Sequence, residues 1–193
     1  MFIKEAEIKR LFKDAYKGVG LRIASDENGL VFTGRTWYIY VFRENLPKEI
    51  KGAVIALTGE IPPIGTQVLY NAEGEQTELF KADPAQDVYK RALEAEAEDC
   101  QARPADIILL DHLERPYRVV TDERDEVFTV PERFCMMADP GNCGKDEEYK
   151  GCFALPSGWL YWLSEHMAYG FPSFVIDEAI RGRAMKLKEA GII

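Results

Sequence analysis

The segment Trp37-Tyr38-Ile39-Tyr40-Val41-Phe42 decides the fold of this chain of 193 residues. Six consecutive aromatic and β-branched residues favour an extended strand. A strand that is apolar on both faces is central in its sheet or is covered on both sides. Two more strands are predicted at 20–25 and 29–34, and Asn28-Gly29 supplies a hairpin turn between them. The three segments together predict an antiparallel meander.

Amphipathic segments surround this meander. Apolar residues at helical spacing predict helices at 3–17, 45–58 and 83–98, and a last helix that begins after Ser173. Further strands are predicted at 66–71, 76–80, 106–113, 116–121 and 127–130, a short helix at 131–137, a loop at 139–152, and a hairpin or strand at 155–167. This order predicts an α+β fold in which antiparallel meanders are covered by helices. The expected domain is 1–193, with a possible subdivision into 1–100 and 101–193.

The same element order occurs twice along the chain. Strand, turn, strand, turn, strand and helix follow one another at 20–58 and again, in a shorter form, at 106–138. The two segments share too few identical residues to indicate a duplication. The repeat therefore predicts architecture only.

Charge is distributed unevenly along the sequence. Residues 1–60 carry 10 basic and 8 acidic side chains, residues 61–180 carry 10 and 24, and residues 181–193 carry 4 and 1. The nets of +2, −14 and +3 give the overall −9. An acidic centre of this size disfavours nucleic-acid binding, which depends on Lys and Arg, and it attracts a basic protein.

The expected compartment is the cytoplasm. No apolar run approaches the roughly 20 residues of a membrane-spanning helix, and the charged N-terminal segment does not resemble a signal peptide. The four cysteines are then expected as reduced thiols.

Acidic clusters and exposed aromatic residues are the candidate partner-binding groups. The carboxylates could form one face that docks on a basic protein, although acidic clusters are also common on ordinary solvated surface. Two tryptophans could anchor a partner or fill the core. The candidate residues are Glu94, Glu96, Glu98, Asp122, Glu123, Asp125, Glu126, Trp159 and Trp162.

A second hypothesis is a small metal- or thiol-dependent enzyme built on Cys135, Cys143, Cys152 and His166. Three thiolates and one imidazole are zinc ligands. The spacing C-x7-C-x8-C differs from the short C-x2–4-C step of structural zinc sites. We therefore expect neither a metal nor another cofactor.

Two stretches near the N-terminus resemble a known group of proteins. Glu7-Ile8-Lys9-Arg10-Leu11-Phe12-Lys13 and Leu46-Pro47-Lys48-Glu49-Ile50 are similar to segments of short acidic proteins encoded by phages and mobile elements of Firmicutes. The resemblance covers about the first 65 residues and assigns no functional residue. Some of these proteins inhibit type II CRISPR nucleases, so the resemblance implies an anti-CRISPR-type inhibitor.

These observations predict a non-catalytic, acidic inhibitor or adaptor that binds a basic protein such as a host nuclease. Its carboxylate-rich face would occupy a groove that otherwise holds nucleic acid. A homo-oligomer is the third possibility, in which the basic ends of one copy contact the acidic centre of another.

Overall fold

Two antiparallel sheets and five α-helices form the part of the chain that the computed structural model describes, namely residues 1–74, 76–79, 84–98, 101–124, 126–145, 147–155, 157–173 and 178–193. The helices are α1 (Glu5–Lys17), α2 (Lys48–Thr58), α3 (Pro84–Ala97), α4 (Glu132–Cys135) and α5 (Glu178–Glu189). The strands are β1 (Leu21–Ser25), β2 (Gly29–Thr33), β3 (Tyr38–Phe42), β4 (Thr66–Tyr70), β5 (Gln76–Leu79), β6 (Ala102–Leu110), β7 (Pro116–Asp122), β8 (Val127–Pro131), β9 (Tyr149–Ala154), β10 (Trp159–Ser164) and β11 (Met167–Pro172).

The larger sheet has eight strands in the order β5-β4-β1-β2-β3-β11-β10-β9. β3 lies inside it, paired with β2 on one side and with β11 on the other. The prediction that this strand is central is confirmed, as is the α+β class. Strands from 149–172 complete a sheet that begins at residue 21, so a domain boundary at residue 100 would divide one sheet.

Side chains alternate across β3 into two separate cores. Ile39 and Val41 point to a core that α1, α2, α4 and the smaller sheet cover. Tyr38 and Tyr40 point to the opposite core, which α3 covers. Burying an aliphatic or aromatic side chain of this size stabilises a fold by about 1.5–3 kcal/mol, so both faces of the sheet contribute to stability.

Helix α1 shows how the sequence pattern becomes packing. Its buried residues Ile8, Leu11, Phe12 and Ala15 follow the helical spacing, and the ring of Phe12 lies 4.5 Å from that of Phe32 in β2. The helix ends before Gly20, whose φ of 101° suits a residue without a Cβ atom. The prediction for this helix is confirmed, with its first residue at Glu5.

The smaller sheet has the order β6-β7-β8 and leads directly into α4. It is tied to the larger sheet by an isolated antiparallel bridge between Gln101 and Phe153. Residues 102–104 pair with residues 120–122 of β7, so β6 starts at Ala102 and not at the predicted residue 106. The predicted order of three strands and a helix is confirmed in both halves of the chain.

The segment 139–152 differs from its prediction as a loop. It contains a 3₁₀ turn at Pro140–Asn142 and most of β9, which pairs with β10. Of the two alternatives predicted for 155–167, a hairpin or a strand, the hairpin is confirmed: β10 and β11 pair and turn at Glu165 and His166, and β11 continues to Pro172. Residues 174–177, where the last helix was expected to start, lie outside the described residues.

Candidate functional site

Helix α3 carries the first acidic cluster on its outer side. Ala92 and Ala95 are fully buried against the larger sheet, and their small side chains let the helix lie close to it. The ring of Tyr89 contacts those of Tyr40 and Phe42. Because the inner side is fixed in this way, Glu94 and Glu98 are exposed to solvent.

The second acidic cluster lies next to the end of α3. The carbonyl of Gln101 accepts a hydrogen bond from the backbone N–H of Glu123, with N and O 3.2 Å apart. Glu98 is three residues before Gln101, so the Cα atoms of these two residues are at most about 11 Å apart. The turn that carries Glu123 and Glu126 therefore follows the C-terminal end of α3 within a short stretch of chain, and Glu94, Glu98, Glu123 and Glu126 are all exposed. We call these four residues the acidic end.

Asp122 has a structural role inside this region. Its carboxylate is fully buried, 2.7 Å from Nη2 of Arg124, and it accepts a hydrogen bond of 2.8 Å from the N–H of Glu126. Arg124 also donates to the carbonyl of Ala154 in β9. The Asp122 carboxylate is not accessible to a partner in this structure and is not counted in the acidic end. Asp125 lies outside the described residues.

Glu96 is engaged within the chain. Its carboxylate lies 2.7 Å from Nζ of Lys150 in β9, and the ammonium group is also 3.6 Å from Glu148. The hydrogen bond from Lys150 to Glu96 raises the pKa of the lysine. The pair connects α3 to the outer strand of the larger sheet, so Glu96 supports the position of the helix.

The two tryptophans of β10 occupy different environments. Trp162 is 3% exposed and stacks on Phe171, with the ring centroids 5.2 Å apart. Trp159 is on the opposite face, half-buried and stacked on Tyr38 at 4.8 Å. Trp162 therefore fills the core, which was one of the two alternatives for these tryptophans. The ring of Trp159 is partly exposed.

The thiols and His166 of the enzyme hypothesis do not form one site. Cys135 and Cys152 line a cavity of about 720 Å³ between α3, β6 and β9. His166 lines a different cavity, next to Met1, Asn45 and Asn142. Among the residues that the structure describes, no group of three or more His, Cys, Asp or Glu side chains could hold a metal ion.

Burial keeps the three described thiols protonated at neutral pH. It raises the pKa of Cys135 to about 12 and that of Cys152 well above its ordinary value. Burial, and secondarily Glu147, raises the pKa of Cys143. Because the thiolate is the nucleophile and the metal ligand, the raised pKa values disfavour nucleophilic catalysis and metal binding by Cys135, Cys143 and Cys152.

We expect Cys135 to resist alkylation. Its pKa is raised by folding, so the stability that the neutral thiol contributes is present below pH 9 and is lost as the pH rises towards 12. Iodoacetamide labelling of the native chain, followed by peptide mass spectrometry, should be slow at pH 8 and fast after denaturation. Equal labelling rates in the native and the denatured chain would show a reactive thiol and revive the enzyme hypothesis.

No family model matches the chain, and no curated protein and no solved structure matches it. None of the helices in the described residues is both long enough and apolar enough to cross a bilayer.

Proposed function

We propose that this protein is a non-catalytic inhibitor or adaptor that binds a basic protein through its acidic end. The observation that carries the proposal is the hydrogen bond from the backbone N–H of Glu123 to the carbonyl of Gln101, which places the second acidic cluster next to a residue only three positions after Glu98. Exposed carboxylates so placed complement the Lys- and Arg-lined groove of a nucleic-acid-binding enzyme. The partner class is therefore a nuclease, and the resemblance of the first 65 residues to phage proteins suggests one of the type II CRISPR class.

Electrostatics and apolar contact have separate parts in this proposal. The carboxylates of the acidic end increase the association rate and select a basic surface. Exposed charge pairs contribute only about 0.2–1 kcal/mol each, so the remaining affinity comes from apolar contact. Trp159 is the candidate for such contact because its ring is partly exposed on the α3 side of the sheet.

The test is inhibition of a purified type II CRISPR nuclease loaded with guide RNA. Cleavage of target DNA should fall as the chain is added. A variant in which Glu94, Glu98, Glu123 and Glu126 are all replaced by Gln should need on the order of 10- to 100-fold more protein for the same inhibition.

The matched control changes the net charge equally at another place. Glu27, Glu44, Glu49 and Glu60 are exposed glutamates of the first 60 residues, and their replacement by Gln should leave inhibition unchanged. Equal loss of inhibition in both variants would show that the net charge of the protein, and not the position of the carboxylates, causes the inhibition. Full activity of the first variant would contradict a role of the acidic end.

A further inference from the structure

The hairpin of β6 and β7 has an exposed apolar outer strand. Ile108 and Leu110 are 46% and 50% exposed, and Leu113 at the tip is 61% exposed. Within the described residues, β7 is the only strand that pairs with β6 beyond the bridge at Gln101. An apolar edge strand of this kind can pair with another strand.

Backbone geometry directs two residues of β6 to this free edge. The N–H of Asp111 donates to the carbonyl of Arg115 on the β7 side. Since the polar backbone groups of an antiparallel strand alternate in direction, Leu109 also faces β7, whereas Ile108 and Leu110 face outwards. Arg183 of α5 donates to the carbonyl of Leu110, which agrees with this direction.

The tip of the hairpin is held in one conformation. The carboxylate of Asp111 is buried and accepts hydrogen bonds of 2.8 Å from the N–H groups of Leu113 and Arg115. It also accepts one of 2.6 Å from the guanidinium of Arg115. The free edge is therefore formed before any partner arrives, which lowers the cost of ordering it on binding.

Charges along this edge are self-complementary. Asp106 precedes Ile108 by two residues, within the stretch where the register of β6 against β7 shifts, and its side chain is fully exposed with a carboxylate oxygen 4.0 Å from Nη1 of Arg118. The guanidinium of Arg183 lies at the carbonyl of Leu110, two residues after Ile108. A second copy that runs antiparallel along the edge would place each Asp106 near the other copy's Arg183, which would create two opposite-charge contacts.

We propose that two copies of this chain pair through the free edges of β6, with a two-fold axis at Ile108. The two Ile108 residues exchange backbone hydrogen bonds, as an outward-facing pair in an antiparallel ladder does. Ile108 and Leu110 of both copies then form one apolar patch on the same face. The carbonyl of Leu110 has two lone pairs, so it can keep Arg183 and also accept an inter-strand bond.

The dimer should be weak, because a short strand pair buries less than the roughly 1,200 Å² typical of stable complexes. Sedimentation equilibrium of the full chain should show the mass rise from 21.9 kDa towards twice that value as concentration increases. Ile108→Lys should hold the mass at the lower value, with its thermal unfolding unchanged. Ile64→Lys, at a residue that is 56% exposed elsewhere, is the matched control and should dimerise normally.

A monomer mass that persists at protein concentrations up to about 1 mM would overturn the proposal. The edge of β6 would then have to bind a different partner. Normal dimerisation of Ile108→Lys would overturn it as well.

Charge exchange tests the orientation. Asp106→Lys and Arg183→Glu should each weaken dimerisation about 10-fold, and the double variant should return to within about 3-fold of the native chain. A double variant as weak as the product of the two single effects would exclude the antiparallel arrangement centred at Ile108. This proposal is independent of the acidic end, since neither variant changes those four residues.

Discussion

Replacement of Trp162 by alanine should lower the free energy of unfolding by about 3–5 kcal/mol. The indole is 3% exposed, stacks on Phe171 and contacts the tilted ring of Tyr169, so its removal leaves a cavity inside the larger core. Chemical denaturation of the native chain and the variant, followed by circular dichroism, measures the difference.

Trp159→Ala is the matched control, because it lies three residues earlier in the same strand and on the opposite face. Removal of its half-buried ring should lower the free energy of unfolding by less, about 1–2 kcal/mol, because part of the indole is already in water. Equal losses at the two positions, or a larger loss at Trp159, would contradict the two-core description of the sheet.

Replacement of Glu132 by alanine should cost about 2–3 kcal/mol. Glu132 in α4 receives two hydrogen bonds from the guanidinium of Arg118 in β7, of 2.5 and 2.6 Å, and both side chains are mostly buried. The hydrogen bond to Glu132 is the main cause of the raised pKa of Arg118. Without Glu132, the guanidinium keeps the carbonyl of Ala105 and a distant, fully exposed Asp106 carboxylate at 4.0 Å, and it stays largely out of water.

A double variant separates the value of the pair from the cost of an unpaired charge. Arg118→Met combined with Glu132→Leu should recover most of the lost stability, because apolar residues of similar volume remove both buried charges. Urea denaturation of the single and double variants decides the point. A loss below about 0.5 kcal/mol for Glu132→Ala would show that the pair is not coupled to folding.

Local patterns predicted the elements whose pairing is local. The six apolar residues from Trp37 to Phe42 required cover on both faces, and α1 and α3 supply it on opposite sides of the sheet. The turn at Asn28-Gly29 correctly predicted the hairpin of β1 and β2. In these cases the prediction succeeds because the spacing of apolar residues and the residues of a turn depend only on neighbours in the sequence.

Segments whose structure depends on distant residues could not be predicted in this way. The Gly and charged residues of 139–152 predict a loop, whereas β9 begins at Tyr149 because it pairs with β10, a contact that the local sequence does not encode. Asp122 and Glu123 are adjacent acidic residues that the sequence pattern does not distinguish. In the folded chain Arg124 pairs with the buried Asp122, whereas Glu123 is exposed. The exposure of Ile108 follows from the position of β6 at the edge of its sheet.

The acidic end is the central claim, and the salt dependence of binding to the purified nuclease tests it most directly. The dissociation constant of the native chain should rise steeply between low and physiological salt, because the contacts are exposed and screened. The variant with Gln at Glu94, Glu98, Glu123 and Glu126 should bind weakly at both and show a flatter dependence. Equal affinity and equal salt dependence of the two proteins would contradict the account.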